Sequence, residues 1–360
     1  MRFRVDGVLR EMDAPPAAAA AAVISRIKVM ANLNIAERRL PQDGRIKVRI
    51  EGREVDMRIS TVPTLYGESV VIRLLDQGGV PLDFAELGFE GRLLRQFEAL
   101  LARPQGIILV TGPTGSGKTT TLYAALERLN TPEKKILTVE DPVEYQIAGI
   151  NQIQVRPNID LTFANALRSI LRQDPDIIMI GEMRDAETAA IAVQSALTGH
   201  KVLSTLHTND APSSVTRLLD MHVQDYLLTS TLDGIVAQRL VRRLCPHCRA
   251  PYRPDPEWVR ETGLDRVAGG TDLTLYRAVG CDHCEHSGYW GRSSILELLV
   301  MSEPLRRVIL ESRDAEAIRR VALAEGMVPM REDGLRKALA GLTTVEEVER
   351  VTQASEHALV

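Results

Sequence analysis

From about residue 100 onward, short apolar runs alternate with pieces long enough to be helices. The runs at 107–110, 136–139, 177–180 and 202–206 have the length and composition of strands buried on both faces. Such alternation predicts a largely parallel sheet covered by helices, an α/β core over residues 100–240. The first 80 residues are patterned differently. Pro15-Pro16 introduces a run of good helix formers from Ala17 to Met30, which predicts one helix. Residues 46–50 and 55–59 alternate apolar and charged positions across Glu51-Gly52-Arg53-Glu54, the pattern of a half-buried hairpin, and residues 70–75 add a strand. An α+β domain over residues 1–78 follows. Gln77-Gly78-Gly79-Val80-Pro81 breaks every pattern, so a linker is expected over 79–99. Beyond the core come a cysteine-bearing region at 241–290 and, over 291–360, short helices with caps at Ser302 and Thr343-Thr344.

At 360 residues the chain exceeds the roughly 250 to 300 at which one hydrophobic core stops growing, so several domains are expected. Hydrophobic content of 44% and charged content of 26% are ordinary for folded proteins. No segment approaches the roughly 20 apolar residues of a membrane span. The start, Met1-Arg2-Phe3-Arg4-Val5-Asp6-Gly7, lacks the apolar core of a signal peptide. A cytoplasmic chain is expected. The formal charge is −4, from 44 basic and 48 acidic residues mixed along the length. That balance leaves no electrostatic footprint for nucleic acid.

Gly112-Pro113-Thr114-Gly115-Ser116-Gly117-Lys118-Thr119 fits G-x-x-x-x-G-K-[ST] between a predicted strand and a helix opening at Thr120. The glycines let backbone N–H groups wrap phosphates, Lys118 reaches the terminal phosphates, and the Thr119 hydroxyl is placed to ligate Mg2+. ATP and Mg2+ are the expected ligands. A second carboxylate-bearing element is required, and Glu182 supplies it at the end of the strand 177–180. Glu140 and Glu144, in the acidic stretch after strand 136–139, are candidates for orienting water or metal. His200 and His207 flank the strand 201–206; position alone leaves both as ordinary strand-end residues or as functional ones. Cys245-Pro246-His247-Cys248 and Cys281-Asp282-His283-Cys284 are two C-x-x-C knuckles. Four thiolates in this spacing predict a closed, structural Zn2+ site, with His247 and His283 as alternative donors inside the knuckles.

These segments together resemble the secretion-motor ATPases of type II secretion and type IV pilus assembly. The phosphate loop at 112–119 resembles their Walker A box, and residues 136–145 their aspartate box. Residues 167–176 with 180–185 resemble the Walker B region, and 198–210 the histidine box. Leu40-Pro41-Gln42-Asp43-Gly44-Arg45-Ile46 and Asp56-Met57-Arg58-Ile59-Ser60-Thr61 are similar to the PAS-like domain that precedes the motor. The resemblance implies a RecA-like core and a cytoplasmic homo-hexamer working through inner-membrane platform and assembly proteins. It also implies that Arg58, Arg73, Arg168 and Arg172 face the nucleotide and that His200 and His207 sense it. The tetracysteine insert is a mark of the assembly ATPases rather than the retraction ATPases. Full-length assembly ATPases carry a further N-terminal docking domain, whereas this sequence begins in the PAS-like part.

The expected function is ATP hydrolysis driving pseudopilus assembly for type II protein secretion. Pilus extension is the alternative within the family. A nucleic-acid motor on the same core, or a regulator that binds ATP without turnover, fits less well, given the acidic balance and the presence of Glu182.

Overall fold

Cross-strand pairing over residues 42–76 follows the alternation in the sequence. In the computed structural model, which describes residues 1–50, 52–76 and 83–352, the chain divides into two units at residue 81. The first unit opens with a hairpin of β1 (Arg2–Val5) and β2 (Val8–Glu11), followed by α1 (Ala20–Met30). Strands β3 (Gln42–Ile50), β4 (Arg53–Thr64) and β5 (Gly67–Asp76) form an antiparallel sheet in chain order. Ala31 at the end of α1 buries against Ile46 and Ile59, with Ile27, Val48 and Met57 around them. The unit is α+β. Lys28 on the buried side of α1 is held by the carbonyl of Glu37 at 2.8 Å and by the carboxylate of Glu68 on β5.

In the second unit the elements run α2 (Gly91–Leu101), β6 (Gly106–Thr111), α3 (Lys118–Leu129), β7 (Ile136–Glu140), β8 (Asn151–Gln154), α4 (Phe163–Ile170) and β9 (Ile177–Ile180). There follow α5 (Ala186–Leu197), β10 (Lys201–Leu206), α6 (Ala211–Asp220), α7 (Asp225–Thr231) and β11 (Leu232–Leu244). The sheet order is β14-β11-β6-β10-β9-β7-β8, where β14 is Tyr289–Val300 and is the one antiparallel member. Successive residues of β6 enter different cores: Ile107 and Leu109 pack with α4 to α6, and Ile108 and Val110 with α2 and α3. A strand buried on both faces has no polar side, which is why these runs read as continuous apolar blocks.

Three boundaries differ from the sequence expectation. The proposed break at Gln77 to Pro81 lies outside the described residues, but residues 83–99 of the expected linker are built into the second unit. Phe84, Phe89 and Phe97 form an aromatic cluster with centroid separations of 4.8 to 5.4 Å. Leu93, Leu94, Phe97, Leu100 and Leu101 make the apolar stripe of α2. The helix after the phosphate loop begins at Lys118, two residues earlier than expected. The cysteine region is an excursion between two sheet strands, because β11 and β14 pair from Gly234↔Val300 to Leu244↔Tyr289. Limits at 241, 290 and 291 therefore cut through strands. Within the excursion lie β12 (Ala250–Tyr252), α8 (Pro256–Glu261), α9 (Leu264–Ala268) and β13 (Leu275–Arg277). The chain then runs through α10 (Glu303–Glu311), α11 (Ala315–Ala324), α12 (Met330–Leu339) and α13 (Val345–Thr352), whose apolar faces complete the core shared with α4 to α6.

Candidate nucleotide site and metal cluster

In a parallel sheet the ligand-facing groups collect beyond the carboxyl ends of the strands. Here β6, β10, β9 and β7 are neighbours in that order. The phosphate loop, the 207–210 loop, Glu182 and the acidic stretch therefore leave one edge side by side. The loop backbone has room only for glycine at two points. A Cβ on Gly112 would stand 2.3 Å from the Gln238 carbonyl oxygen, and one on Gly117, at φ 90°, 2.7 Å from Gln238 Nε2. Helix α3 starts immediately after, so the unpaired N–H groups of its first turn and its positive dipole end face the loop. Lys118 is buried, and its Nζ donates to Gly112 O at 2.8 Å and Pro113 O at 3.0 Å. Burial lowers the pKa of its ammonium, while the charge of Glu182 pulls it back up. Thr119 is exposed on the first turn of α3, and Pro113, Thr114 and Gly115 form the exposed rim of the loop.

Glu182 follows β9 and meets two basic side chains. His207 Nε2 stands 3.1 Å from its Oε2, and Arg184 pairs with its Oε1. Burial opposes the charge on Glu182, but the bonds from Arg184 and His207 override it and hold the carboxyl below its ordinary range. The site thus presents an ionised carboxylate at the strand edge, electrostatically in reach of the phosphate-loop lysine. Next to His207, Thr208 Oγ1 lies 2.6 Å from Thr111 Oγ1, the last residue of β6. That bond ties the 207–210 loop to the root of the phosphate loop.

Four expected site residues are engaged elsewhere. Glu140 is 2% exposed and its carboxylate is taken up by Tyr123, Thr138 and Gln152, the last at 3.2 Å. A carboxylate saturated in this way holds α3 and β8 to β7, and is a poor candidate for positioning water; Glu144 is partly exposed and remains on the same loop. His200 precedes β10, whereas His207 follows it. Six residues at about 3.3 Å each separate them by about 20 Å, so His200 belongs to the opposite rim of the sheet. There its Nδ1 lies 2.9 Å from Ser195 O and 3.1 Å from Thr198 Oγ1, closing the end of α5. Arg168 and Arg172 lie on the exposed side of α4 and its end. Arg168 pairs with Glu187, and Arg172 donates to Arg168 O at 3.0 Å. None of these contacts joins them to Glu182 or Lys118. Arg58 and Arg73 are directly opposed across β4 and β5, with Arg45 opposite Arg58 on β3. The three share one face of the first unit's sheet.

The four cysteines converge. Cys245 and Cys281 sulfurs are 3.9 Å apart, Cys248 and Cys284 3.8 Å, and Cys281 and Cys284 3.8 Å. A disulfide would need about 2.0 Å. Four sulfurs at about 2.3 Å from a zinc ion stand about 3.8 Å from one another, which is the spacing found. Gly280 N donates to Cys248 Sγ at 3.3 Å, and Gly288 N to Cys284 Sγ at 3.2 Å. Burial raises the Cys284 thiol's pKa, but the N–H groups of Cys281 and Gly288, with the neighbouring thiols, bring it down to about 6. The donor set fits a tetrahedral thiophilic metal. His247 and His283 pack against each other with tilted rings at 4.1 Å, and His283 against Trp290 at 4.6 Å, so their rings are engaged outside the sulfur cluster. Among the described residues the four cysteines alone form a group able to hold a metal ion.

Comparison with known proteins decides the family. The profile of the Type II/IV secretion system protein family matches residues 1–350. This chain belongs to that family. It is 61% identical over 353 residues to the type II secretion system protein E of Xanthomonas campestris, covering 98% of this chain and 62% of that protein. It is 50% identical over 348 residues to the type IV pilus assembly ATPase PilB of Thermus thermophilus, covering 97% of this chain and 39% of that one. The solved structure of the pilus retraction motor PilT with bound ADP superposes with a TM-score of 0.65 at 26% identity, over 97% of this chain and 89% of that one. The fold is that of the RecA-like secretion ATPases.

In this secretion-system protein, several residues that shape the site are not among the candidates read from the sequence. Arg184 lies inside the Walker B wording, and its spacing of two from Glu182 is the clue that was available. Tyr123 and Gln152 around Glu140, and Gln238 beneath the phosphate loop, are brought in by the sheet order rather than by sequence proximity, whereas Thr138 sits two residues before Glu140 on the same strand.

Proposed function

We propose that the chain is the motor part of a type II secretion ATPase, binding MgATP on the loop 112–119 and hydrolysing it to drive pseudopilus assembly. The observation that carries this reading is the meeting of Lys118, Glu182 and His207 at one sheet edge, in a chain 61% identical to a type II secretion protein E. In this reading Lys118, Gly112, Ser116, Gly117 and Thr120 cradle the phosphates, and the Thr119 hydroxyl ligates Mg2+. Glu182 orients the attacking water, with Glu144 nearby. Arg58 and Arg73 on the PAS-like first unit supply positive charge to the transferring phosphoryl group. The cysteine cluster holds one Zn2+ as a structural clip. The working form is a homo-hexamer on the cytoplasmic side of an inner-membrane platform. The similarity to PilB supports pilus extension as the second reading.

Phosphate release by the purified chain with MgATP, compared with Lys118→Ala, tests the chemistry. Loss of turnover and weaker ATP binding are expected, since both ground and transition state lose the ammonium contact. A lysine variant as fast as wild type would remove the phosphate loop from the account. Deleting the gene and assaying exported enzymes against surface pili separates the two machines.

A further inference from the structure

Strand β11 presents two consecutive polar side chains in the core, Gln238 at 1% and Arg239 at 9% exposure. Consecutive strand residues point to opposite faces, and these two reach opposite halves of the nucleotide site. Gln238 Oε1 accepts from Thr121 Oγ1 at 2.8 Å, in the first turn of α3, and its Nε2 donates to Ser294 Oγ at 3.0 Å on β14. Both partners are themselves buried. The same side chain and its own carbonyl are the atoms that confine positions 112 and 117 to glycine. Gln238 is therefore the floor of the phosphate loop, with its amide fixed at both ends. Arg239 donates to Asn209 Oδ1 at 3.0 Å. Asn209 lies in the loop that carries His207, and the next residue, Asp210, caps α6 by accepting from Ser213 N at 2.8 Å. Burying an amide and a guanidinium in a strand costs several-fold more desolvation than burying apolar residues of similar volume. Their contacts supply fixed geometry in return.

We propose that Gln238 and Arg239 are positioning residues acting on separate steps of the reaction. Gln238 fixes the phosphate loop and so sets ATP affinity. Arg239 fixes the 207–210 loop, hence the His207–Glu182 pair, and so sets turnover. The proposal rests on the ATPase reading above.

Its test is a split between KM and kcat, with nucleotide affinity read independently by titration of a fluorescent ATP analogue. Gln238→Met removes both amide bonds at similar volume; it should raise KM and the analogue's Kd about tenfold while kcat stays within about threefold. Gln238→Glu keeps the acceptor for Thr121 and should recover most of that affinity. Arg239→Met should lower kcat about tenfold or more with the analogue's Kd unchanged, and Arg239→Lys should restore part of it. A purely structural role would instead lower kcat in both methionine variants in proportion to the folded fraction seen by thermal melting, leaving affinity untouched. That result, the reverse split, or no effect overturns the proposal. If the methionine variants do not fold, Gln238→Asn and Arg239→Gln must show the same split, and its absence there is equally decisive. A wild-type chain that hydrolyses no ATP overturns the ATPase reading and this inference with it; an active wild type with unaffected variants overturns the inference alone.

Discussion

His207 Nε2 stands 3.1 Å from Glu182 Oε2, so the histidine that follows β10 and the acid that follows β9 are joined beyond the ends of neighbouring strands. Arg184 takes the other oxygen of the same carboxylate. An acid held ionised and oriented in this way acts on a transition state more than on a bound ground state.

Glu182→Gln should therefore keep nucleotide affinity while kcat falls about 100-fold or more. His207→Ala should lower kcat by a smaller factor, because Arg184 still holds the carboxylate. His200→Ala should leave kcat and KM within about twofold of wild type, since its contacts close α5 on the far rim. Steady-state phosphate release with an analogue titration measures all three. Equal losses from the two histidine variants would contradict the placement of His200.

The phosphate loop was legible in the sequence because its chemistry is local: eight consecutive residues supply the turn, the lysine and the helix start. Glu182 was legible for a related reason, as the polar end of an apolar strand. His200 misled because a histidine at either end of a strand looks alike in sequence, and strand direction relative to the site decides which end matters. Gln238 was silent because β11 is buried on both faces and shows neither alternation nor a turn before it. Residues 83–99 read as a linker because Gly78-Gly79 and Pro81 drew the break too far, although the stripe Leu93, Leu94 and Phe97 was present. Side-chain saturation, as at Glu140, is a property of packing and has no sequence signature.

Replacing Cys245 and Cys248 by Ser should release about one Zn2+ per chain, in metal analysis of protein purified without chelator. The same change should loosen the excursion between β11 and β14, seen as faster amide exchange over 245–288. Exchange at the phosphate loop should change far less. Protein that carries no zinc at all would defeat the structural-clip reading.

Glu347 on α13 accepts from Arg242 on β11 at 2.5 Å and from Arg350 at 2.8 Å. Burial works against its charge, but those arginine bonds prevail and take its pKa from the ordinary 4.5 to about 2. A depressed folded-state pKa means the contribution to stability is complete above about 4.5 and fades as pH falls toward about 2. Glu347→Gln should accordingly lower Tm most at pH 7, and the gap to wild type should narrow as pH falls from 4.5 toward 3. Thermal melts across that range check it; a gap that widens in acid would reverse the assignment.

Under the proposed function, Arg58 and Arg73 of the first unit make hydrolysis depend on movement. Arg45, Arg58 and Arg73 are directly opposed on three neighbouring strands. Like charges placed opposite one another on neighbouring strands repel. A guanidinium delivered by a moving domain stabilises the transferring phosphoryl group only when the domains close, and such arginines are worth about a thousandfold or more in rate. Arg58→Ala or Arg73→Ala should lower turnover strongly while leaving ATP binding nearly intact. Whether the arginine serves its own chain or a neighbour is decided by mixing Arg58→Ala with Lys118→Ala chains. A neighbour-acting arginine would be supplied by the lysine variant and restore part of the activity, whereas an arginine acting within its own chain leaves the mixture inactive. The same-chain arrangement is the expected result. Recovery on mixing would replace it with a shared site between subunits, and full activity in the single arginine variants would remove the role altogether.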